Sequence, residues 1–331
     1  CRGEEVTEIG EFSEENLKKA AALIKKGEVV AFPTETVYGL GANALSEQAV
    51  LKIFRAKNRP ADNPLIVHVS DITQVEKVAY VSDMAASVMT AFFPGSLTVV
   101  LPKKECVPSV VTAGLNTVGV RNPVSPEARR FLAACGVPVA APSANSSTRP
   151  SPTCAEDVYE DMNGRIPFIL KGAVCSVGIE STVLDLTSEK ALILRPGIVT
   201  ASEIKEKTGI PVEYYHVKNG EKVRSPGIKY RHYAPKCEMV LCLDDDPAKA
   251  VAYAEATSGK TGVLCEDKYA LYFEKPYLLG KTAEEASERL FSLLRKAEKE
   301  CDNLLCFYTL KDEGSVGVIN RMTKASGGKI I

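Results

Sequence analysis

Val29 to Phe32 is a β-branched and aromatic run that Pro33 stops, and the polar segment beyond that stop limits the fold most. Such a run favours a strand, and proline cannot continue a central ladder. Thr34-Glu35-Thr36-Val37-Tyr38-Gly39-Leu40-Gly41 then reads as a hydroxyl-rich turn. Ser46 caps a helix with Val50, Leu51 and Phe54 on one face, which delivers Lys57-Asn58-Arg59-Pro60. Next, Leu65, Val67 and Val69 alternate with Ile66, His68 and Ser70, so this strand presents His68 away from its apolar face. Strand, cationic helix end and second strand predict an α/β cradle for a polyanion beside a small polar molecule.

The same signals recur along the chain. Ser13 caps a helix carrying Leu17, Ala20, Ala21 and Ile24, and Gly27 ends it. Thr117-Val118-Gly119-Val120-Arg121 is a strand with Thr117 and Arg121 together opposite two valines, and Ser125-Pro126 opens a helix that Gly136 closes. Strands are predicted at 137–141, 166–170, 181–186 and 191–194, and Thr200 and Glu203 have capping-box spacing. Residues 216–235 lack periodicity and are rich in Lys, Arg, Gly and Pro, a linker of a length often functional when ordered. Its Lys229, Arg231 and His232 suggest either a passive tether or a lid that folds over the polyanion cradle. Beyond it, strands near 238–243, 261–265 and 303–308 alternate with helices near 247–256 and 282–298, the second with a capping box at Thr282 and Glu285. The organisation is thus a first α/β domain over 1–215, a linker over 216–235 and a small, largely parallel α/β domain over 236–331.

Composition narrows the function classes. With 45% apolar and 25% charged residues, the 331-residue chain is an ordinary globular sequence. Its formal net charge of −1 makes any polyanion site a local patch and argues against general affinity for nucleic acid. No apolar run approaches the roughly 20 residues that span a bilayer. The start, Cys1-Arg2-Gly3-Glu4-Glu5, lacks a signal-like pattern and, without Met, reads as trimmed, so a soluble, cytoplasmic protein is expected. The 10 cysteines contain no C-x-x-C and sit at apolar positions such as Cys135, Cys242, Cys265 and Cys306, as buried reduced thiols do. With 3 histidines, far apart, no zinc site is expected.

Each candidate site residue has a bland reading beside its functional one. Lys52, Arg55, Lys57 and Arg59 form either a solvated helix face or, held by Pro60 and Pro64, a mount for neighbouring phosphates. Gly39-Leu40-Gly41-Ala42-Asn43-Ala44 fits G-x-G-x-x-A, with Asp62 at the ribose position. Pro33 to Thr36 separate it from the strand, however, which weighs against a dinucleotide site. No G-x-x-x-x-G-K-[ST] occurs, which excludes a P-loop. His68 is a satisfied core residue or a ligand. Arg121, closing an apolar strand, needs an anion, either a protein carboxylate or a substrate carboxylate. Ala141-Pro142-Ser143-Ala144-Asn145-Ser146-Ser147, Ser181-Thr182 and Arg195-Pro196-Gly197 are polar loops or places of close nucleotide approach.

The ordered combination P-T-E-T-V-Y-G-L-G, K-x-R, D-N-P-L-I-V-H, P-G-S-L-T, V-G-V-R, A-P-S-A-N, G-x-E-S-T-V and L-R-P-G resembles the YrdC-type threonylcarbamoyl-AMP synthases. Ser225-Pro-Gly-Ile-Lys-Tyr-Arg-His232-Tyr-Ala-Pro235 and Gly317-Val-Ile-Asn320-Arg321 are similar to the linker and end of the long, two-domain form. Ser147 departs from the pattern, where Gly is common. The resemblance implies a twisted, open, mixed sheet followed by a smaller Rossmann-like domain. It implies synthesis of threonylcarbamoyl-AMP from L-threonine, bicarbonate and ATP, with release of pyrophosphate. It places Thr36, His68, Arg121, Ala141 (through its backbone) and Ser181 around threonine. Arg59, Asn63, Thr117, Ser143, Asn145, Ser151, Arg195, Tyr230 and Arg231 would hold ATP. Lys57 would lie beside the phosphates and share the catalytic role with Arg59. Mg²⁺ would arrive with ATP, with no prosthetic group and no dedicated metal site. The product would pass to a complex that transfers it to tRNA, and a direct tRNA contact is allowed. The rival class is a non-catalytic RNA-binding module of the same fold, disfavoured by the near-zero charge and the lack of interleaved aromatics.

Overall fold

The computed structural model describes residues 6–215 and 232–331, which fold into two compact units. The first comprises β1 (Glu8–Glu11), α1 (Glu14–Lys25), β2 (Val30–Phe32), β3 (Gly39–Asn43), α2 (Glu47–Lys57), β4 (Ile66–His68), α3 (Val75–Val78), α4 (Asp83–Phe92), β5 (Leu97–Pro102) and α5 (Ser109–Thr112). It continues with β6 (Thr117–Arg121), α6 (Pro126–Cys135), β7 (Val139–Ala140), α7 (Ala155–Met162), β8 (Phe168–Lys171), β9 (Thr182–Asp185), β10 (Ala191–Arg195), α8 (Ala201–Thr208) and β11 (Val212–Tyr214). Its strands form one mixed sheet in the order β1-β8-β2-β3-β7-β4-β6-β5-β9-β10-β11.

Period-2 alternation sorts each strand's side chains onto two faces. One face carries Val67, Val69, Val99, Val118, Val120 and Ala140, packed into a large core with residues of α2, α4, α7 and α8. On the opposite face, α1 and α6 cover β2, β7 and β8 through Leu17, Ile24, Phe131, Leu132, Phe32, Val139 and Phe168. Farther across that face Ile66, Val100, Val183 and Leu194 form a smaller cluster to which no described helix contributes. Among the described residues, α1 and α6 thus cover this face as far as β7, and the strands beyond carry the polar candidates.

Local chemistry follows the sequence closely. Ser13, Ser46, Ser125 and Thr200 cap their helices by accepting backbone N–H bonds. Gly136 ends α6 in the left-handed region. The G-x-G segment is the strand β3, antiparallel to β2, so no strand-to-helix phosphate turn exists there. Gly41 is required by close approach, because a Cβ would lie 2.8 Å from Val139 Cγ1 and 3.0 Å from Phe32. Alternation with small residues had disguised this strand as a loop.

The second unit takes in Thr148–Ser151, Val177–Ile179 and the C-terminal part of the chain. Its elements are β12 (Glu238–Cys242), α9 (Pro247–Ala256), β13 (Thr261–Cys265), β14 (Tyr277–Leu278), α10 (Ala283–Glu300), β15 (Asn303–Phe307) and α11 (Ser315–Ala325). The sheet order is β12-β15-β13-β14, and every pairing is parallel, the Rossmann-like arrangement expected. Helix α10 buries Ala286, Leu290, Phe291, Leu294 and Ala297 along one stripe. Thr282 caps it by accepting from the Glu285 N–H, but Glu285 returns its carboxylate to the Lys281 N–H, one residue short of a reciprocal capping box. Most of the predicted linker, residues 216–231 with Lys229, Tyr230 and Arg231, lies outside the described residues. At its end Tyr233 is buried and stacks on Phe291, ring centres 5.1 Å apart.

All 9 described cysteines are free thiols, and Cys135, Cys242, Cys265 and Cys306 are buried as expected. Burial pushes the Cys135 thiol up to about 12, which keeps it a neutral packing group. No described helix is long and apolar enough to cross a membrane.

The two-faced register is directly testable. Val120→Ala on the covered face is expected to destabilise the chain by about 2–3 kcal/mol through a cavity. Thr117→Ala, three positions earlier on the other face, should stay within about 0.5 kcal/mol. Urea unfolding of both variants measures the contrast, and equal losses would contradict the register.

Candidate functional site

A buried ion pair organises the part of this face beyond α1 and α6. Arg121, at the C-terminal end of β6, is 3% exposed, and Glu35, in the bend after β2, is 6% exposed. Arg121 Nη2 donates to Glu35 Oε1. Its Nη1 donates to Thr36 Oγ1 at 2.7 Å and its Nε to the Gly95 carbonyl at 3.3 Å. Glu35 Oε1 also accepts from Ser96 Oγ at 2.9 Å, and Oε2 accepts from the Ser125 N–H at 3.4 Å. Thr34 shapes the bend itself, donating to the Val37 carbonyl at 2.6 Å and lying 2.9 Å from Thr36 Oγ1. Of the two anions considered for Arg121, a protein carboxylate is therefore present, and it is Glu35.

His68 lies beside Arg121 because parallel β4 and β6 place the two residues in register. Burial, and then the Arg121 charge, lowers its pKa to about 3. The imidazole is thus neutral at physiological pH, and its Nδ1 is buried without a hydrogen-bond partner. Phe32 meets the ring edge-on, centroids 6.1 Å apart.

Strand β5 connects this cluster to a second one. Ser96, just before it, bonds Glu35 and accepts the Thr182 N–H through its carbonyl at 3.1 Å. Thr98 Oγ1 lies 2.7 Å from Ser181 Oγ. Arg195, closing β10, donates to the Ser181 carbonyl from Nε at 3.1 Å and from Nη2 at 2.9 Å. Thr117 is half-buried at the start of β6 and, with Ile66, Thr98, Val100, Gly119 and Val183, lines a shallow cleft. Ala141, buried beyond β7, donates its N–H to the Ile66 carbonyl at 2.9 Å.

The cations of α2 do not form a single cradle. Lys52 pairs with Glu28 at 2.7 Å on the half-exposed surface, and Arg55 is exposed. Lys57 points inward, 2% exposed, and donates its ammonium to the carbonyls of Ser143 and Asn145, both at 2.5 Å. Ser147 returns the contact through its N–H at 3.1 Å and its hydroxyl at 3.0 Å to the Lys57 carbonyl. That second bond gives Ser147 a use where the family pattern has Gly. The left-handed Asn58 ends α2, and Arg59 Nη2 donates to the Asn63 carbonyl at 3.2 Å. Asn63 is 2% exposed, with its Oδ1 buried and unbonded.

Thr36, His68 and Arg121 thus form one network, Ser181 and Arg195 a second, and Lys57, Ser143 and Asn145 a third. Ser151 is fully buried in the second compact unit. Tyr230 and Arg231 lie outside the described residues. Sequence reasoning missed Glu35, Ser96 and Thr98 as members. A carboxylate between two threonines at a strand end was the available signal for the first, and the Ser-Leu-Thr alternation for the others.

Residues 22–197 match the family model described as telomere recombination, which groups Sua5, YciO and YrdC. The chain belongs to this family. Residues 199–327 match the model of the threonylcarbamoyl-AMP synthase C-terminal domain. As a member, the chain is 41% identical to the threonylcarbamoyl-AMP synthase of Pyrococcus abyssi, over 97% of this chain and 96% of that one. It is 40% identical to the Bacillus subtilis threonylcarbamoyl-AMP synthase, over 99% and 97% of the two chains. The crystal structure of P. abyssi Sua5 complexed with L-threonine matches with a TM-score of 0.90 and 40% identity, covering 98% of this chain and 99% of that one. Escherichia coli YciO shares the fold alone, at TM-score 0.50 and 22% identity over 58% of this chain and 96% of that one.

The central pair and its neighbour each set a stability expectation. Arg121→Met is expected to cost about 3–5 kcal/mol by leaving Glu35 buried and unpaired, and Glu35→Met/Arg121→Met to cost less. Denaturant unfolding of the single and double variants reads the difference. For His68, the unfolded chain binds a proton below its ordinary value of 6.5 while the folded chain does not until about 3. Stability therefore falls as pH drops through this window, by about 1.4 kcal/mol per unit. His68→Gln should make the stability profile shallower by that amount between pH 6.5 and 5, and an unchanged slope would contradict the assignment.

Proposed function

We propose that this chain is an L-threonylcarbamoyladenylate synthase, a nucleotidyltransferase that makes threonylcarbamoyl-AMP from L-threonine, bicarbonate and ATP and releases pyrophosphate. The observation that carries the reading is the buried Arg121, held beside Thr36 and a neutral His68 on the sheet face beyond α1 and α6. Near full-length likeness to a relative whose structure contains L-threonine supports it.

In this reading Thr36, His68, Arg121, the Ala141 backbone and Ser181 surround threonine, with Arg121 taking its carboxylate. A neutral imidazole adds no positive charge beside the substrate ammonium. The threonine nitrogen joins the bicarbonate carbon with loss of water, and the resulting carbamate oxygen attacks the α-phosphorus as pyrophosphate leaves. Positioning and charge neutralisation supply most of the catalysis. Arg59, Asn63, Thr117, Ser143, Asn145, Ser151, Arg195, Tyr230 and Arg231 are the residues assigned to ATP. The carbonyl contacts of Lys57 support a role exerted through the Ser143–Asn145 loop. No group of three described His, Cys, Asp or Glu residues is arranged to hold a metal, so Mg²⁺ is assigned to the ATP phosphates. The product is destined for transfer to tRNA by a partner complex, in the cytoplasm.

Pyrophosphate release by the full chain should require both L-threonine and bicarbonate. Equal ATP turnover without them would overturn the reading, and tight tRNA binding with no turnover would favour the non-catalytic RNA-binding module instead. Arg121→Lys should weaken threonine by about 2–5 kcal/mol while leaving ATP binding nearly unchanged, as calorimetric titration of each ligand will read.

A further inference from the structure

Glu35 is used so far only as the partner of Arg121, and it has capacity left. An arginine carries five N–H donors, and Arg121 commits one each to Gly95, Thr36 and Glu35. Two N–H groups therefore remain for a ligand. On Glu35, Oε1 accepts from both Arg121 and Ser96, whereas Oε2 accepts only the long bond from the Ser125 N–H. His68 Nδ1, on the strand beside Arg121, is buried and unbonded. The same small region thus holds a cation, an anion and an uncharged ring atom, each with an unused hydrogen-bonding position.

We propose that Glu35 is a specificity-determining residue that reads the α-ammonium of the incoming amino acid while Arg121 reads its carboxylate. This deepens, and rests on, the threonine reading above. An α-amino acid carries its two charges one carbon apart. Laid against an ion pair whose members touch, it closes a ring of alternating charges in which every group has opposite neighbours and the buried sum is zero. A carboxylic acid without the amine leaves the site with a net negative charge beside Glu35. An amine without the carboxylate leaves a net positive charge beside Arg121. Buried uncompensated charge is costly, so the pair selects zwitterions by penalising both half-matches. Arg121 alone would accept any carboxylate of the right size.

The test compares L-threonine with two analogues, each lacking one charge, by calorimetric titration of the full chain. The analogues are 2,3-dihydroxybutanoate of matching configuration, which replaces the ammonium by hydroxyl, and L-threoninamide, which keeps the ammonium and loses the carboxylate. Each should bind wild type on the order of 10²-fold more weakly than threonine. Glu35→Gln should bring threonine and the dihydroxy acid to within about 3-fold of each other, mainly by weakening threonine. Dihydroxy acid binding to wild type as tightly as threonine overturns the proposal, even if Glu35→Gln does not fold. So does a Glu35→Gln protein that weakens both acids equally. Failure of threonine to bind wild type overturns the substrate reading itself. Threonine-dependent pyrophosphate release with equal binding of the two acids overturns only the charge matching.

Discussion

The Glu35–Arg121 ion pair is the contact on which the candidate site depends. Two charges removed from water at the middle of a sheet are tolerated only when geometry satisfies them both. The structure meets that demand with residues from four places in the chain: the bend after β2, the segment before β5, the end of β6 and the start of α6. Because the pair cannot shift without exposing an unpaired charge, it fixes the Thr34–Thr36 bend against strands that are distant in sequence. Stability and site geometry are here the same interaction.

The position of the site follows from where the helical layer stops. Helices α1 and α6 cover the β8, β2 and β7 end of that face, while Ile66, Val100, Val183 and Leu194 form a separate cluster with partly buried neighbours such as Tyr215. Between these apolar patches lie His68 and Arg121, brought side by side by the β4–β6 register. A one-residue slip in either strand would exchange them for the valines of the other face. The large core on the far side, which holds Val67, Val118 and Val120, is what makes such a slip prohibitive.

Much of this was legible in the sequence because it rests on local rules. Serine and threonine caps, the left-handed Gly136 and the alternation around Val118 and Val120 each need only a few neighbouring residues. The motif series identified the family, and the parallel second sheet followed from strand–helix alternation. What was not legible depends on distant partners. Glu35 reads as an ordinary acid until β6 brings Arg121 to it. Lys57 reads as one of four surface cations until the turn of α2 points it inward, because helical position decides burial and charge alone does not. Strand β3 was hidden by glycines that are there because Val139 and Phe32 leave no room for a Cβ at Gly41.

The burial of Lys57 also joins two elements that would otherwise fray independently. The last turn of a helix is its weakest part, because its carbonyls lack intrahelical donors. Here the Lys57 carbonyl receives two bonds from Ser147, and the Lys57 ammonium gives two to the loop that carries Ser143 and Asn145. Neither side can open while the other stays closed without stranding donors or acceptors in a dry environment. The end of α2 and the asparagine loop are therefore a single cooperative unit in local unfolding, so the loop inherits the rigidity of a helix although its own backbone forms none.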